Sequence, residues 1–321
     1  MIQRTACLIA RGTEPYTNQA IEKHLMDTLP EETAILYLWQ NRHTILMGRG
    51  QDPREVCAEF FAGSTARRLS GGGAVYQDMG CLNFTFILPK QAFDIPRQMG
   101  IVGMAAGAFG IQLQAASRGE LAVEGRTCCI CDFFKSGSAA YHHGSLFVYS
   151  DEAARARSLN RRQSRSTQDL SALSRDVTVD ALEQALYWAF CRAYGAEAAM
   201  LDERMMDQRS IEASAARFAD RQWIWPTADV YNVIAEEQFP WGRVSVHLRE
   251  ENGVIRAARI FTDAMEAALF EHLEQALVGS PFLVSAISAR MGQRLSLLRD
   301  PRLMQLAGDV NTLICQRIRR R

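Results

Sequence analysis

The alternation of apolar and polar positions predicts strands through much of the first half of the chain. Residues 34–39 and 44–47 are short apolar runs on either side of the polar turn 40–43, and this arrangement predicts a β-hairpin. In residues 82–88 every second side chain is large and apolar, which predicts a strand with one apolar face. We expect these strands to supply the core of a sheet.

A second hairpin is predicted farther along the chain, after a strand over residues 120–124. Residues 126–134 and 140–149 form its two strands, and Lys135-Ser136-Gly137-Ser138 forms its turn.

Helical spacing of apolar residues predicts three helices in the same part of the chain. Ile21, Leu25 and Leu29 recur every four residues, which predicts a helix capped at Thr17-Asn18 and ended before Pro30. The other two helices are predicted from Pro96 through Phe109 and from Thr178 to Gly195.

The pattern changes near residues 223–229, which is the candidate domain boundary. Beyond it, residues 243–248 and 254–261 are predicted strands of one hairpin. Helices follow at about residues 265–278, 281–291 and 302–319. We therefore predict a large α/β domain over residues 1–234 and a small C-terminal α/β domain over residues 235–321.

Charge and composition exclude several classes of partner. The chain of 321 residues has 36 basic and 36 acidic side chains, so no net field attracts nucleic acid or an anionic membrane. No apolar stretch is long enough to span a bilayer, and the start MIQRTACLIARG lacks a signal-peptide pattern. We expect a soluble cytoplasmic protein whose eight cysteines are thiols. Only three of the basic residues are lysines: Lys23, Lys90 and Lys135.

Three consecutive glycines, Gly71 to Gly73, stand in the stretch Arg67-Arg68-Leu69-Ser70-Gly71-Gly72-Gly73-Ala74-Val75-Tyr76-Gln77-Asp78. Glycine loses more backbone entropy on folding than any other residue, so propensity does not explain such a run. We interpret it as a place where a ligand approaches the main chain, with amides pointing at an anion and Arg67 and Arg68 beside them. The alternative is a glycine-rich turn without a ligand.

This stretch, followed by Gly80-Cys81-Leu82-Asn83-Phe84-Thr85-Phe86, resembles the signature of lipoate–protein ligases and the wider biotin/lipoate ligase family. Other blocks of the chain match in the same order: Gly48-Arg49-Gly50-Gln51-Asp52-Pro53, His142-His143-Gly144-Ser145-Leu146, Phe239-Pro240-Trp241-Gly242 and Phe261-Thr262-Asp263. The resemblance implies an α/β fold with mixed and antiparallel sheets and flanking helices in the large domain.

The resemblance also implies a reaction. Lipoate or a similar acid reacts with ATP and Mg²⁺ to give an acyl-adenylate, and a lysine of a lipoyl carrier domain or a glycine-cleavage H-like protein then displaces AMP. The residues that it implies for ligand binding are Arg68, Gly71, Gly72, Gly73, Ala74, Val75, Tyr76, Asp78, Asn83, His142, His143 and Gly144.

The sequence departs from the family where a catalytic lysine is expected. That lysine belongs to the pattern G-R-K-x-S-G-x-A, fifteen residues before the first histidine of H-H-G, and here the position is Thr127. Lys135 is a weaker candidate, because eight strand residues separate it from Thr127 and place it about 26 Å farther along the strand. Arg126 is adjacent, but alternation aims it at the opposite face unless a bulge intervenes. Losing one such charge typically costs about 10² to 10³ in rate.

Three cysteines, Cys128, Cys129 and Cys131, occupy the rest of that pattern, and Asp132 stands at its alanine. No second Cys or His pair of matching spacing follows, so we expect no metal site. The thiols are either small apolar residues or a nucleophile that forms a thioester. The alternatives to ligation are therefore a non-catalytic paralogue that binds a lipoyl-type ligand or carrier, and a Cys-dependent acyl transferase.

Overall fold

The computed structural model describes residues 2–117, 119–160, 166–195, 197–226, 231–296 and 299–319. It divides into two compact units. The first contains Met1–Met47, Arg54–Arg68 and Ala74–Ile224, and the second contains Gly48–Pro53, Leu69–Gly73 and Trp225–Arg321. The boundary near residue 234 stays a prediction.

A sheet of eight strands forms the centre of the first unit. Its strands are β1 (Arg4–Ile9), β2 (Thr33–Trp39), β6 (Cys81–Pro89), β7 (Gln114–Ser117), β8 (Glu120–Val123), β9 (Arg126–Ser136), β10 (Ala139–Phe147) and β11 (Ala199–Met200). The order across the sheet is β11-β1-β2-β6-β10-β9-β8-β7. The strand β1 runs parallel to both of its neighbours and the other pairs are antiparallel, so the predicted mixed α/β fold is confirmed.

A smaller sheet in the first unit has the order β4-β3-β5, from β3 (Thr44–Met47), β4 (Ser64–Arg67) and β5 (Val75–Gln77). The predicted hairpin between residues 34–39 and 44–47 is therefore wrong. The strand β2 pairs with β1 and β6, whereas β3 pairs with β4 and β5. Each of these strands lies between two partners in its own sheet, and every residue of both strands is buried. The polar turn that joins β2 to β3 therefore does not decide which strands pair.

Helices cover both faces of the large sheet. The helices of the first unit are α1 (Pro15–Asp27), α2 (Pro53–Val56), α3 (Ile95–Gly107), α4 (Glu152–Ser158), α5 (Val179–Tyr194), α6 (Gln208–Ala219) and α7 (Arg221–Ile224). On one face Phe86 of β6 stacks on Phe190 of α5. On the opposite face Glu22 of α1 accepts a hydrogen bond from Thr85 of β6. Neighbouring residues of one strand therefore face different helices.

Of the three helices predicted in this unit, α5 has the expected ends and the other two differ. Helix α3 begins at Ile95, after the cap Asp94, and ends at Gly107 rather than at the predicted Phe109. Helix α5 is capped by Thr178 and ends at Gly195 in the left-handed conformation, as predicted. Helix α1 instead begins at Pro15, because the carboxylate of Glu14 accepts the Thr17 amide at 2.8 Å. The prediction of a cap at Thr17-Asn18 was wrong because it did not consider glutamate as a capping acceptor.

The second unit contains a three-stranded sheet and three helices. They are β12 (Val233–Phe239), β13 (Gly242–Glu251), β14 (Val254–Thr262), α8 (Ala267–Leu277), α9 (Val284–Leu295) and α10 (Pro301–Arg319). The predicted pair β13 and β14 is confirmed, whereas β12 was not predicted. Polar residues occupy most of the exposed positions of β12, so it carries little apolar signal. Within the described ranges no helix has both the length and the apolar character needed to cross a membrane.

We predict that Gly144→Ala destabilises the first unit. A Cβ atom at Gly144 would lie 2.6 Å from Cζ of Phe84 and 2.9 Å from Sγ of Cys131, so the core must shift. Overpacking of this kind costs about 1–3 kcal/mol in free energy of unfolding, which urea denaturation followed by circular dichroism measures. The control is Gly103→Ala in α3, where no atom lies within 4 Å of the new Cβ. It should be neutral or stabilising by up to about 1 kcal/mol. Equal stabilities for both variants would contradict the packing argument.

Candidate functional site

A cavity opens on one face of the large sheet in the first unit, with about 240 Å³ of empty space that includes open solvent. The register of the strands explains which side chains reach it. Across β9, β10 and β6, Asp132 lies opposite His143, and His143 lies opposite Thr85. Residues opposite each other in antiparallel strands share a face, so they form one row. The residues that line the cavity are Trp39, Leu46, Arg68, Val75, Gln77, Ile130, Asp132, His143, Gly144 and Ser145.

Arg68 carries the positive charge of this cavity. It follows β4 and is held by its amide, which donates to Met47 O at 3.0 Å. Its Nη1 donates to Leu46 O at 3.0 Å, and its Nη2 lies 2.5 Å from Oδ2 of Asp132. Burial raises the pKa of Asp132, and the Arg68 guanidinium opposes that shift. The cavity therefore contains a buried ion pair made by the protein's own side chains.

The neighbouring Arg67 serves a different purpose. Its Nε donates to Trp223 O and its Nη2 donates to Ile224 O, both at 2.8 Å. The indole of Trp223 donates in return to Arg67 O at 2.8 Å. Adjacent strand residues point to opposite faces, so one arginine of the pair reaches the cavity and the other anchors α7.

His143 is oriented by a chain of buried polar side chains. Its Nδ1 lies 2.8 Å from Oε1 of Glu22, which also accepts from the Thr85 hydroxyl at 2.7 Å. The indole Nε1 of Trp39 donates to that hydroxyl at 3.1 Å. A carboxylate only accepts hydrogen bonds, so Nδ1 of His143 carries a proton and the ring orientation is fixed.

Amide and hydroxyl groups form the remaining polar wall. Gln77 Nε2 donates to Asn83 Oδ1 and to Ser145 Oγ, both at 2.8 Å. The Ser145 hydroxyl donates to Asn83 Oδ1 at 2.7 Å, and Asn41 Nδ2 donates to Gln77 Oε1 at 2.8 Å. Buried polar atoms are normally paired, and this network satisfies most of its own. Nδ2 of Asn83 is the exception, with no partner among the described protein atoms.

His142 lies on the other face of the sheet, although the sequence placed it with His143. Its ring lies among Phe84, Phe86 and Phe133, and its Nδ1 is 3.1 Å from Oε1 of Gln98 on α3. Burial, followed by the neighbouring His143, lowers the pKa of His142 to about 3. His142 is therefore a neutral core residue that does not line the cavity.

Of the other predicted site residues between positions 74 and 83, one lines the cavity and the others pack beside it or hold the backbone. Val75 lines the cavity, and Ala74 packs in a cluster with Ile45 and Met47. The Tyr76 hydroxyl is 2.8 Å from Nδ1 of His43, and burial raises the pKa of Tyr76 to about 12.

Asp78 makes a turn. Its Oδ1 accepts from the Gly80 amide and its Oδ2 accepts from the Asp151 amide, both at 2.8 Å. Both carboxylate oxygens therefore hold backbone at the start of β6 and before α4.

The glycines 71–73 belong to the second unit, where they contact its backbone closely. Gly72 has φ 81° and donates its amide to Ala264 O at 3.1 Å. A Cβ at Gly71 would lie 2.1 Å from Ala264 O, and one at Gly48 would lie 2.0 Å from Gly72 O. Close backbone packing therefore requires glycine at Gly48 and Gly71, and the positive φ favours glycine at Gly72. That the three glycines bind a ligand stays a prediction.

Arg49 of the neighbouring loop also lies in the second unit. Its Nη2 is 2.8 Å from Oε1 of Glu271 on α8. From the sequence, Arg161, Arg162 and Arg165 are either residues that steer a phosphate or a solvated charge run, and all three lie outside the described residues.

Thr127, at the position of the family lysine, is buried and does not line the cavity. Its amide donates to Ser166 O and its carbonyl accepts from the Gln168 amide, both at 2.9 Å. The register of β8 and β9 shifts next to it, between Leu121 and Ala122, which is the irregularity that can re-aim a neighbouring side chain. Arg126 is exposed, and its Nη2 donates to Thr167 O at 2.8 Å.

Lys135 is exposed at the far end of β9, where its Nζ lies 5.1 Å from the centre of the Phe93 ring. All three lysines are among the described residues, and none lines the cavity.

The cysteines 128, 129 and 131 are buried in β9. Sγ of Cys129 is 3.5 Å from Sγ of Cys131. Burial raises the pKa of Cys128 to about 11 and the pKa of Cys129 well above its ordinary value. A buried neutral thiol is a poor nucleophile, so the arrangement favours small apolar residues over a thioester site. In the described ranges no three His, Cys, Asp or Glu side chains are grouped to hold a metal ion.

Several residues of the site were not predicted, among them Glu22, Trp39, Thr85 and Asp132. The signal for two of them was a polar residue inside an apolar strand, Thr85 within 82–88 and Asp132 within the run after Cys131. A charge in a buried strand requires a partner, and that rule would have identified Asp132 as a site residue.

Comparison with known proteins finds two family models that match parts of this chain. Residues 14–191 match the family described as Lipoyl protein ligase A/B catalytic domain, and residues 229–295 match Bacterial lipoate protein ligase C-terminus. P. falciparum LipL1, solved in complex with lipoate, is 20% identical with a TM-score of 0.86, covering 97% of this chain and 99% of that one.

Two further solved structures share the fold over part of this chain. A bi-partite lipoate protein ligase from Thermoplasma acidophilum, described with its E2 lipoyl domain, is 17% identical with a TM-score of 0.60, covering 70% of this chain and 96% of that one. A lipoate-protein ligase A bound with ATP is 17% identical with a TM-score of 0.61, covering 70% and 99%.

The buried His142 predicts a loss of stability in acid. Its pKa is 6.5 in its ordinary state and about 3 in the folded protein, so below pH 6.5 only the unfolded chain gains this proton. Wild type should therefore lose about 1.4 kcal/mol of unfolding free energy per pH unit, relative to His142→Phe, from pH 6.5 to about pH 5. Urea denaturation at several pH values measures it. Parallel pH profiles for the two proteins would contradict a neutral buried histidine.

Proposed function

The chain belongs to the lipoyl protein ligase A/B family, and we propose that it attaches lipoate or a similar acid to a lysine of a lipoyl carrier domain after activation by ATP. The observation that supports this proposal best is the cavity of the first unit. It combines apolar walls from Trp39, Leu46 and Val75 with one buried guanidinium, Arg68. Such a cavity suits an acyl chain that ends in a polar, reactive carboxyl group.

The proposed reaction has two steps. In the first, a carboxylate oxygen of the acid attacks the α-phosphorus of ATP, and pyrophosphate leaves from the acyl-adenylate. In the second, the uncharged lysine amine attacks the acyl carbonyl, the C–O bond to AMP breaks, and the amide forms. Arg68 stabilises negative charge on the carboxyl and phosphate oxygens, and His143, held by Glu22, accepts the proton that the amine releases.

The substrates and partner are proposed from the related proteins. LipL1 is described with lipoate, a lipoate-protein ligase A with ATP, and the archaeal ligase with its E2 lipoyl domain. We propose lipoate, ATP and a lipoyl carrier domain for this chain, with a glycine-cleavage H-like protein as the alternative carrier. Mg²⁺ would arrive with ATP, bound by its phosphate oxygens.

Turnover should be slow, because a fixed cation of the family is missing. Thr127 has no charge, and none of the three lysines lines the cavity. Removing one preorganised charge of this kind typically lowers the rate by about 10² to 10³. The remaining parts support positioning of the acyl group more than stabilisation of the transition state.

A second candidate function is binding of a lipoyl-type ligand or carrier without ligation. The specific observation that favours it is the ion pair of Arg68 with Asp132, because that pair neutralises the charge on which phosphate and carboxylate stabilisation depends. This candidate keeps the cavity and omits the adenylate.

We predict that incubation with ATP, lipoate and a lipoyl carrier domain adds the mass of one lipoyl group to the carrier, as measured by intact-protein mass spectrometry. The physical reason is the activation step, so omission of ATP should abolish the gain. A carrier whose acceptor lysine is replaced by arginine is the control and should stay unmodified. An unmodified carrier after prolonged incubation, together with calorimetric binding of lipoate, would support binding without ligation.

A second prediction concerns the missing cation. Thr127→Lys should raise the rate of ATP-dependent carrier modification by about 10² to 10³, because it restores the charge that the family resemblance implies at this position. The matched control is Thr127→Met, which has a similar length without charge and should not raise the rate. AMP release by Thr127→Lys with none from wild type would select the binding function. Equal rates for all three proteins would show that residue 127 does not reach the reacting atoms.

A further inference from the structure

We infer that Asp132 is a specificity-determining residue: it makes the cavity select acyl ligands whose carboxyl end carries no charge, as an amide or an ester. The inference rests on the proposed function, which places the acyl group in this cavity. It adds the form in which that group binds best.

The ion pair that carries the inference is short and buried. Nη2 of Arg68 lies 2.5 Å from Oδ2 of Asp132, and the two side chains are 2% and 6% exposed. A charge-assisted hydrogen bond is about twice as strong as a bond between neutral groups, and little solvent reaches this one to weaken it. Arg68 is therefore already bound to a carboxylate, and that carboxylate belongs to the protein.

The position of Asp132 brings its carboxylate into contact with any ligand of the cavity. The strand register places it directly opposite His143, and both residues line the cavity with Arg68. The resemblance to the family implies alanine at this position, which would leave the guanidinium to a ligand. Here the carboxylate stands where a ligand carboxylate would have to bind.

A ligand with an ionised carboxyl group binds unfavourably in this cavity. It must displace Asp132 from Arg68 or share the guanidinium with it, and either arrangement brings two carboxylates together in a buried space. Like charges in such a site disfavour each other strongly.

A neutral carboxyl derivative fits the same groups without conflict. The carbonyl oxygen of an amide accepts a hydrogen bond from Arg68, and its N–H donates to Asp132. The carbonyl oxygen of an ester is also uncharged and accepts a hydrogen bond from Arg68. The ion pair thus offers one donor and one acceptor, and an amide supplies a partner for each.

Isothermal titration calorimetry with lipoate and with lipoamide, its neutral amide, tests the inference. Wild type should bind lipoamide about tenfold more tightly than lipoate. Asp132→Asn keeps the shape and a hydrogen bond to Arg68 but removes the charge, so lipoate affinity should rise about tenfold or more while lipoamide affinity changes by less than about threefold. Asp132→Ala should show the same rise in lipoate affinity, and it replaces Asp132→Asn if that variant does not fold.

The matched control is Glu183→Gln. Glu183 is also a buried carboxylate of the first unit, 3.3 Å from Nη1 of Arg11, but it does not line the cavity. Its substitution should leave both affinities unchanged, which separates the effect of Asp132 from a general loss of buried charge.

Two results would overturn the inference. If lipoate affinity stays equal or falls in both folded Asp132 variants while all proteins bind lipoamide, Asp132 only positions Arg68, and the proposed acyl site survives. If none of the proteins binds either ligand, the acyl site itself is refuted and the inference falls with it.

Discussion

The cavity depends on one interaction, the buried ion pair between Arg68 and Asp132. A guanidinium removed from water is costly unless an opposite charge and further acceptors meet it. Asp132 and the carbonyl of Leu46 supply both, and the pair joins the end of β4 to the middle of β9. The interaction therefore holds the small sheet against the large one, and it also sets the charge that any ligand encounters.

Strand alternation distributes the site's polar residues, and it could have been applied further to the sequence. The period of two places His143 with Asp132 on the cavity face and His142 in the aromatic core on the other. The sequence predicts the strand and the hairpin that contain both histidines. It also implies that only one of two adjacent histidines reaches a given cavity. The prediction that included both failed to use a rule that the strand assignment already contained.

Other parts of the site were beyond prediction because they depend on long-range contacts. Glu22 and His143 are 121 residues apart, and Arg68 and Asp132 are 64 apart. No local pattern encodes which buried polar groups meet across such distances. The wrong prediction of a hairpin between β2 and β3 has the same cause, since neither strand pairs with the other and their partners are not set by the turn between them. The sequence predicts a ligand beside glycines 71–73, and that stays a prediction; the backbone that the Gly72 amide meets is Ala264 O of the protein itself.

These features separate binding from turnover in this protein. Shape and hydrogen bonding can hold a ligand without any net charge, and Trp39, Val75 and the amide network offer both in the proposed acyl site. Acceleration of acyl and phosphoryl transfer instead requires uncompensated positive charge aimed at developing negative charge. Thr127 supplies none, and Arg68 is compensated by Asp132. A ligand that displaces Asp132, or whose phosphate adds a second negative group near the guanidinium, must first overcome that internal contact. If the chain binds an acyl ligand as proposed, the charge balance of the cavity favours retention of that acyl group over its rapid activation.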